Sequence, residues 1–273
     1  MGKIFIVKAD GHKEPFEDRK LLGSLLKSRL RIKDASSILS RIKRNVRSGM
    51  STEDIRERTF TILCKRHLPQ AQLYNLRVAL SELPPRSFEQ YIMRLFEKEG
   101  YRCEWERIIR GEGTSHEVDV IAKKDPDWFL VECKHRGNYR KISGLDKVLQ
   151  VRARFEDIAD GYKKGRSKYN FTSAWVVNNA KFSNHAIEYA KTKGIILTGW
   201  GYPKGKNLAE WIQGLEAYPI TIVHGKDNAV RTLISKSILT SFELEDKKSV
   251  VERLIGSATL ASILSQISAV KQC

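Results

Sequence analysis

The sequence is poor in cysteine, and its four cysteines are far apart. They are Cys64, Cys103, Cys133 and Cys273, and no two of them form a Cys-x-x-Cys pair. This spacing argues against a zinc knuckle and against a disulfide framework. The six histidines are also scattered, which argues against a histidine-rich metal site.

The sequence also lacks a long apolar run. No stretch of its 273 residues approaches the apolar length of about 20 residues that a membrane-spanning helix needs. The N-terminus carries no signal-peptide pattern, because Lys8, Asp10 and His12 interrupt the apolar residues at once. We therefore predict a cytoplasmic protein with no membrane partner.

Acidic residues are outnumbered. The chain has 32 Asp and Glu against 49 Lys and Arg, which gives a net charge of +17. Between His135 and Lys168, ten basic and four acidic residues leave an excess of +6. A charge of this sign and size predicts a polyanionic partner, and DNA is the natural candidate. The alternative is a ribosome-associated or merely basic protein.

The length and the breaks in the sequence predict an α/β multidomain protein. Pro84-Pro85 stops any helix and marks a domain boundary. We predict four segments: 1–84, 85–204, 205–228 and 229–273. In the first segment we expect a strand over 3–8, a turn at Asp10-Gly11, a returning strand over 12–16, and four helices. The expected starts of these helices are Asp18, Asp34 (as a cap), the capping box Ser51-Thr52-Glu53-Asp54, and the residue after Pro69.

The run from Val7 to Phe16, followed by Lys20-Leu21, resembles the ATP-cone, a regulatory nucleotide-binding domain of ribonucleotide reductases and their repressor. The β-hairpin and the four helices match it in size and order. The resemblance implies binding of ATP or dATP, with four residues at nucleotide-contacting positions: Lys8, Glu14, Lys20 and Thr52. The sequence departs from the family at Ala9, where an arginine is usual. A small helical cap or a DNA-binding domain without nucleotide is the alternative.

Two short apolar runs, residues 116–122 and 128–134, read as adjacent strands joined by a hairpin. Side chains alternate along a strand, so Glu132 and Lys134 point the same way, and the hairpin brings Asp119 beside them. Carboxylate oxygens are the ligands that Mg²⁺ prefers, and Mn²⁺ is the other candidate. Such a site suits phosphodiester hydrolysis, in which the metal activates water and stabilises developing charge. The alternative is that these charges are simply solvated at strand ends.

The surrounding elements favour a mixed sheet flanked by helices. They are a helix capped by Ser87, a strand over 101–109, a helix over 142–158, a strand over 174–178, a helix over 184–193, and a strand over 195–198. The helix over 142–158 rests on the helical spacing of five apolar residues: Ile142, Leu145, Leu149, Phe155 and Ile158. With Asp119 and the Glu132-Cys133-Lys134 motif, this order resembles the PD-(D/E)xK nucleases, especially Mrr-type restriction endonucleases and archaeal Holliday-junction resolvases.

This second resemblance implies roles for individual residues. Asp119 and Glu132 would hold the metal, and Lys134 would position the attacking water or stabilise charge. Glu89 would add an outer carboxylate, or is an exposed helix residue. Gln150 would be a supporting residue on the helix after the lysine. His116 is expected to contact phosphate or lie exposed.

After a helix over 207–218 and an extended stretch over 219–223, we predict three helices: 229–240, 247–255 and 260–270. This tail resembles helix-hairpin-helix domains, which grip DNA backbones without reading sequence. A packing or dimerisation module is the alternative.

Together these features predict a metal-dependent DNA endonuclease of the restriction endonuclease-like class, with a role in DNA restriction, repair or recombination. The ATP-cone would regulate it, and cutting both strands favours a homodimer. The alternative is a non-catalytic, nucleotide-responsive DNA-binding protein with a decayed nuclease domain.

Overall fold

The computed structural model describes residues 4–8 and 11–273. They form two compact units, each assembled from separate pieces of the chain. Of the described residues, unit 1 contains 4–8, 11–76, 222–230 and 249–273, and unit 2 contains 77–221 and 231–248. Packing therefore does not follow chain order, and the four predicted segments stay a prediction about domains.

A small hairpin opens unit 1, as predicted. The antiparallel strands are β1 (Phe5–Val7) and β2 (Lys13–Pro15). Lys3 of the predicted strand, and Ala9 and Asp10 of the predicted turn, lie outside the described residues. The helices that follow are α1 (Asp18–Lys27), α2 (Ile32–Lys43), α3 (Thr52–Cys64) and α4 (Leu68–Tyr74).

Of these four helices, α3 begins with a side-chain cap. The predicted capping box at α3 is confirmed, because Ser51 accepts from the backbone N–H of Asp54 and Asp54 accepts from that of Ser51. The predicted cap at Asp34 is wrong. The helix α2 begins at Ile32, so Asp34 lies in its first turn, where its carboxylate favours the helix dipole and pairs with Arg31 at 2.9 Å.

The single helix predicted after Pro69 is two short helices, since α4 ends at Tyr74 and α5 (Leu76–Glu82) begins after Asn75. The helix α6 (Pro85–Lys98) follows directly. Its predicted cap at Ser87 is wrong, because Pro85 occupies the first helical position, where the N–H that proline lacks would have no partner anyway.

Unit 2 is built around a mixed sheet, as predicted. In the described part of the chain its strand order is β3-β4-β5-β6-β7. The strands β3, β4 and β5 pair antiparallel, and β5, β6 and β7 pair parallel. The remaining bounds of unit 2 are β3 (Arg102–Arg110), β4 (Ser115–Lys124), β5 (Asp127–Lys134), α7 (Leu145–Lys163), β6 (Ser173–Asn178), α8 (Asn184–Thr192), β7 (Ile196–Thr198) and α9 (Leu208–Gly214).

The buried face of α7 agrees with the prediction in part. Ile158 is buried in the core beside the sheet, and Phe155 packs against that core, as their spacing predicts. The helix starts at Leu145, so Ile142 lies before it and is 59% exposed. Leu149 is 43% exposed, because packing against the sheet buries its neighbours Val148 and Val151 instead.

The C-terminal region is more broken than predicted. Over residues 219–273, all of which the structure describes, the extended stretch is a 3₁₀ turn (Ile220–Ile222). Four helices follow instead of three: α10 (Asp227–Ser235), α11 (Ser241–Asp246), α12 (Lys248–Ile255) and α13 (Ser257–Lys271). Gly256, at φ 80°, separates the last two, because glycine adopts this left-handed conformation at little cost. The helix-hairpin-helix assignment stays a prediction.

None of the helices formed by residues 4–8 and 11–273 combines the length and the apolar character needed to cross a bilayer.

Candidate active site

The centre of the site is the point where β4 and β5 separate. Their ladder runs from Lys124↔Asp127 to Val120↔Val131. Beyond that pair, β4 continues alongside β3, while β5 continues alongside β6 as far as Lys134↔Asn178. Side chains that follow the last pair therefore face a gap between two strands.

Asp119 forms a side-chain hydrogen bond to β5 just beyond the last backbone pair of the β4–β5 ladder. Its Oδ2 accepts a hydrogen bond of 2.7 Å from the backbone N–H of Cys133, so a side chain replaces the missing strand partner. Burial, together with the nearby charge of Glu132, raises the pKa of Asp119 to about 7. The two carboxylates thus lie close enough for the charge of Glu132 to oppose the ionisation of Asp119.

Glu132 is buried and is held by two cations. Lys134 Nζ donates to its Oε1, as the alternation along β5 predicts. Arg154 Nη1, from α7, donates to its Oε2. The structure therefore brings together the predicted Asp119, Glu132 and Lys134. It adds Arg154, one of the ten basic residues between His135 and Lys168. Its spacing of four from Gln150, on one helix face, is the signal that would have pointed to it.

The remaining predicted site residues lie at different distances from this centre. Glu89, on α6, is half-buried, and burial raises its pKa, with Glu106 and Glu117 adding to the effect. Its charge in turn helps to raise the pKa of Asp119. Gln150, by contrast, is exposed on α7, and the contacts to Glu132 come from Lys134 and Arg154.

His116 is mostly buried and pairs with an acidic side chain. Its Nε2 lies 2.7 Å from Oδ2 of Asp157 on α7. Asp157 also accepts from the backbone N–H groups of Gly113 and Thr114. These hydrogen bonds, with that of Gly113 the largest cause, lower the pKa of Asp157 to about 2. The expected exposure of His116 is corrected: the side chain fastens the β3–β4 turn to α7.

Arg77 anchors the loop that follows Lys134. The guanidinium of Arg77 lies over the rings of Tyr139 and Trp200, at 4.9 and 5.4 Å, and donates to the backbone oxygens of Tyr139 and Asn179. Burial lowers the pKa of Arg77 to about 10, so it stays charged at neutral pH. Asn179 also exchanges two hydrogen bonds with the backbone of Arg136. The loop holds a run of basic side chains beside the site: Arg136, Arg140 and Lys141.

The donor set fits a cation that keeps much of its water. Within the described ranges, no three His, Cys, Asp or Glu side chains are arranged to hold a metal ion. Mg²⁺ usually needs only one or two carboxylates, completed by waters and substrate phosphates. Asp119 and Glu132 supply that number, and the raised pKa of Asp119 shows that negative charge there lacks full compensation. A divalent cation would relieve it.

In unit 1, three of the four residues predicted to contact nucleotide lie together. Glu14 pairs with Lys8 at 3.2 Å and with Lys20 at 3.1 Å. Thr52 begins α3, directly after Ser51, which forms a parallel bridge with Val7. Val7 and Ser51 are thus paired, and Lys8 and Thr52 are the residues that directly follow them.

The mixed sheet carries two acids, Asp119 and Glu132, and Lys134 at the point where β4 and β5 separate. This combination is typical of a restriction endonuclease-like domain. Residues 80–212 match the family model of this description, the restriction endonuclease domain of the Mrr catalytic type. An uncharacterized protein of Archaeoglobus fulgidus is 35% identical over 130 residues, which cover 48% of this chain and 70% of the relative. Residues 80–212 thus form a domain of the Mrr-type restriction endonuclease family.

A solved structure supports the fold. The crystal structure of AF1548, a protein of unknown function, is 27% identical to this chain, with a TM-score of 0.56. The match covers 69% of this chain and 99% of that one. The matched 69% of this chain is a larger part than residues 80–212 represent, so the structural similarity extends beyond the endonuclease domain.

Proposed function

We propose that this protein is a metal-dependent DNA endonuclease that hydrolyses phosphodiester bonds, with Mg²⁺ or Mn²⁺ held by Asp119 and Glu132. The observation that carries the proposal is the convergence of these two carboxylates with Lys134 where β4 and β5 separate. The net charge of +17 and the anchored basic loop after Lys134 fit a polyanionic substrate.

In this proposal each residue of the site has its own role. A divalent cation at the two carboxylates would supply a Lewis acid that activates water and stabilises charge on the phosphate. Lys134 holds Glu132 in place and offers its ammonium to the attacking water or to the developing negative charge. Glu89 adds an outer carboxylate, which strengthens the local field for a cation. Gln150, which is exposed on α7, would support the site from the surface.

The test is cleavage of plasmid and branched DNA with Mg²⁺ or Mn²⁺. We expect Asp119→Asn to lower the rate at least about hundredfold, the scale of losing one group that stabilises the transition state. Salt-sensitive DNA binding should persist, because the phosphate contacts lie elsewhere. The matched control is Asp160→Asn, an identical change at an exposed acid on α7 paired with Lys163.

Equal cleavage by the wild type and Asp119→Asn would remove Asp119 from the mechanism. DNA binding without any cleavage or metal binding would favour the alternative, a non-catalytic DNA-binding protein with a decayed nuclease domain.

A second function, for unit 1, rests on the cluster of Lys8, Glu14 and Lys20. Two ammonium groups on one carboxylate form a site that an ATP or dATP phosphate can enter by displacing Glu14. In this proposal the unit is an ATP-cone that regulates the endonuclease. The homodimer stays a prediction that follows from the need to cut two strands.

A further inference from the structure

Both carboxylate oxygens of the buried Glu132 are held by cations. Lys134 holds Oε1 and Arg154 holds Oε2. The Glu132 side chain is only 4% exposed, while those of Lys134 and Arg154 are each 26% exposed. Each cation therefore reaches from the surface to a carboxylate beneath it.

The Arg154 contact opposes the binding of a cation between Asp119 and Glu132, because its guanidinium occupies one side of Glu132 Oε2 and repels a second positive charge there. Lys134 lies two residues from Glu132 on the same strand, so its ammonium stays near the site wherever its side chain turns. Arg154 lies on α7, a separate element, and its long side chain reaches Glu132 from a partly exposed position. Arg154 can therefore turn away from Glu132 while the Lys134–Glu132 pair on β5 stays in place.

We infer that Arg154 is a phosphate-binding residue that covers Glu132 in the metal-free protein and transfers to a DNA phosphate when the divalent cation and DNA enter. The inference rests on the proposed function, since it assumes a metal at Asp119 and Glu132 and a phosphodiester beside it.

Charge explains why the transfer would be favourable. Without metal, both cations, Lys134 and Arg154, lie on Glu132. A divalent cation adds two positive charges to the site, and these attract a phosphate. The guanidinium then lies within reach of that phosphate, and its planar fork matches phosphate oxygens as well as carboxylate oxygens. Metal and DNA should consequently each strengthen the binding of the other.

The test measures Mn²⁺ binding in the absence of DNA, by calorimetry on the full chain. In Arg154→Met the oxygen of Glu132 is no longer covered, so we expect Mn²⁺ to bind about fivefold or more tightly, the lower end of typical coupling between sites. The matched control is Arg152→Met. Arg152 lies on the same helix with 25% of its side chain exposed, but it pairs with Glu156, so its variant should bind Mn²⁺ like the wild type.

A second measurement follows DNA affinity with and without Ca²⁺, with cleavage products monitored in the same samples. Ca²⁺ should tighten DNA binding by the wild type and by Arg152→Met, and Arg154→Met should lose most of this gain. A residue with a purely structural role would leave the gain intact. Should Arg154→Met fail to fold, Arg154→Gln keeps a donor for Glu132 without the charge, and both shifts should go in the same direction.

The inference is overturned if the Arg154 variants bind Mn²⁺ no more tightly than the wild type, or if they keep the full Ca²⁺-dependent gain. Normal Mn²⁺ binding and cleavage by the wild type, together with either result, would leave the proposed function intact. Failure of the wild type to bind Mn²⁺ or to cleave DNA would overturn the proposed function, and the inference with it.

Discussion

Asp119 carries an electrostatic cost that its position in the site explains. Burial and the charge of Glu132 raise its pKa to about 7, against an ordinary value of 3.8. Between those two pH values the folded protein keeps a proton on Asp119 that the unfolded chain loses. Above pH 7 the folded protein must ionise a carboxyl group in an unfavourable place. Its stability therefore falls as the pH rises from about 4 to about 7.

We predict that Asp119→Asn stabilises the metal-free protein more at pH 8 than at pH 5. Asparagine cannot ionise, and its oxygen can still accept from the N–H of Cys133. The gain at pH 8 is on the order of 2–4 kcal/mol, from about three pKa units at 1.36 kcal/mol each. Thermal or urea unfolding in EDTA measures it, and Asp160→Asn is the control. An equal effect at both pH values would contradict the prediction.

At the scale of elements, the helix α7 is fastened to the turn that leads into β4. Besides the carboxylate contacts of Asp157, its backbone oxygen accepts from the N–H of Glu112 at 2.9 Å. One turn later, Gly161 lies so close to Gly111 that a Cβ on it would meet the Gly111 carbonyl carbon at 2.6 Å. Because α7 carries Arg154 and β4 carries Asp119, this junction sets the position of one against the other.

We predict opposite effects for the same substitution in two helices. Gly161→Ala should destabilise the protein by about 1–3 kcal/mol, because the backbone of Gly111 must move. It should also slow DNA cleavage. Gly23→Ala in α1 meets nothing within 4 Å, so it should stabilise by about 0.5–1 kcal/mol through helix propensity. Urea unfolding of both variants checks the pair; stabilisation by Gly161→Ala would show that the junction tolerates a methyl group.

At the scale of the whole molecule, the chain combines a nuclease-like unit with a second unit that carries the lysine and glutamate cluster. If ATP or dATP binds that cluster, the folded state is stabilised in proportion to ligand occupancy. A concentration one hundred times the dissociation constant contributes about 2.7 kcal/mol. Regulation would then appear as a change in cleavage rate when nucleotide is added.

We predict that millimolar ATP or dATP raises the melting temperature of the wild type and that Lys20→Ala loses most of this shift. Lys20 pairs with Glu14 and Glu17, at 3.1 and 2.9 Å, at the centre of the cluster. The control is Lys27→Ala, which removes an equal charge from the last turn of the same helix. A wild type unaffected by ATP, or an unchanged shift in Lys20→Ala, would remove nucleotide binding from this cluster.

Much of the architecture was within reach of the sequence, because it rests on local rules. The alternation of side chains along residues 128–134 places Glu132 and Lys134 on one face, and the structure confirms their contact. The capping box at Ser51 and the hairpin of β1 and β2 also follow from neighbouring residues. The net charge needs only counting, and it already indicates a polyanionic partner.

Other features depend on tertiary structure. Arg154 meets Glu132 across 22 residues, and His116 meets Asp157 across 41. The periodicity of α7 is compatible with more than one buried face. Packing against the sheet decides that Val148, Val151 and Ile158 are buried and that Arg154 contacts Glu132. The division of residues 222–273 between two units is likewise invisible to local patterns. Short-range propensities set what each segment becomes, whereas burial of apolar surface, which involves the whole chain at once, sets which segments meet.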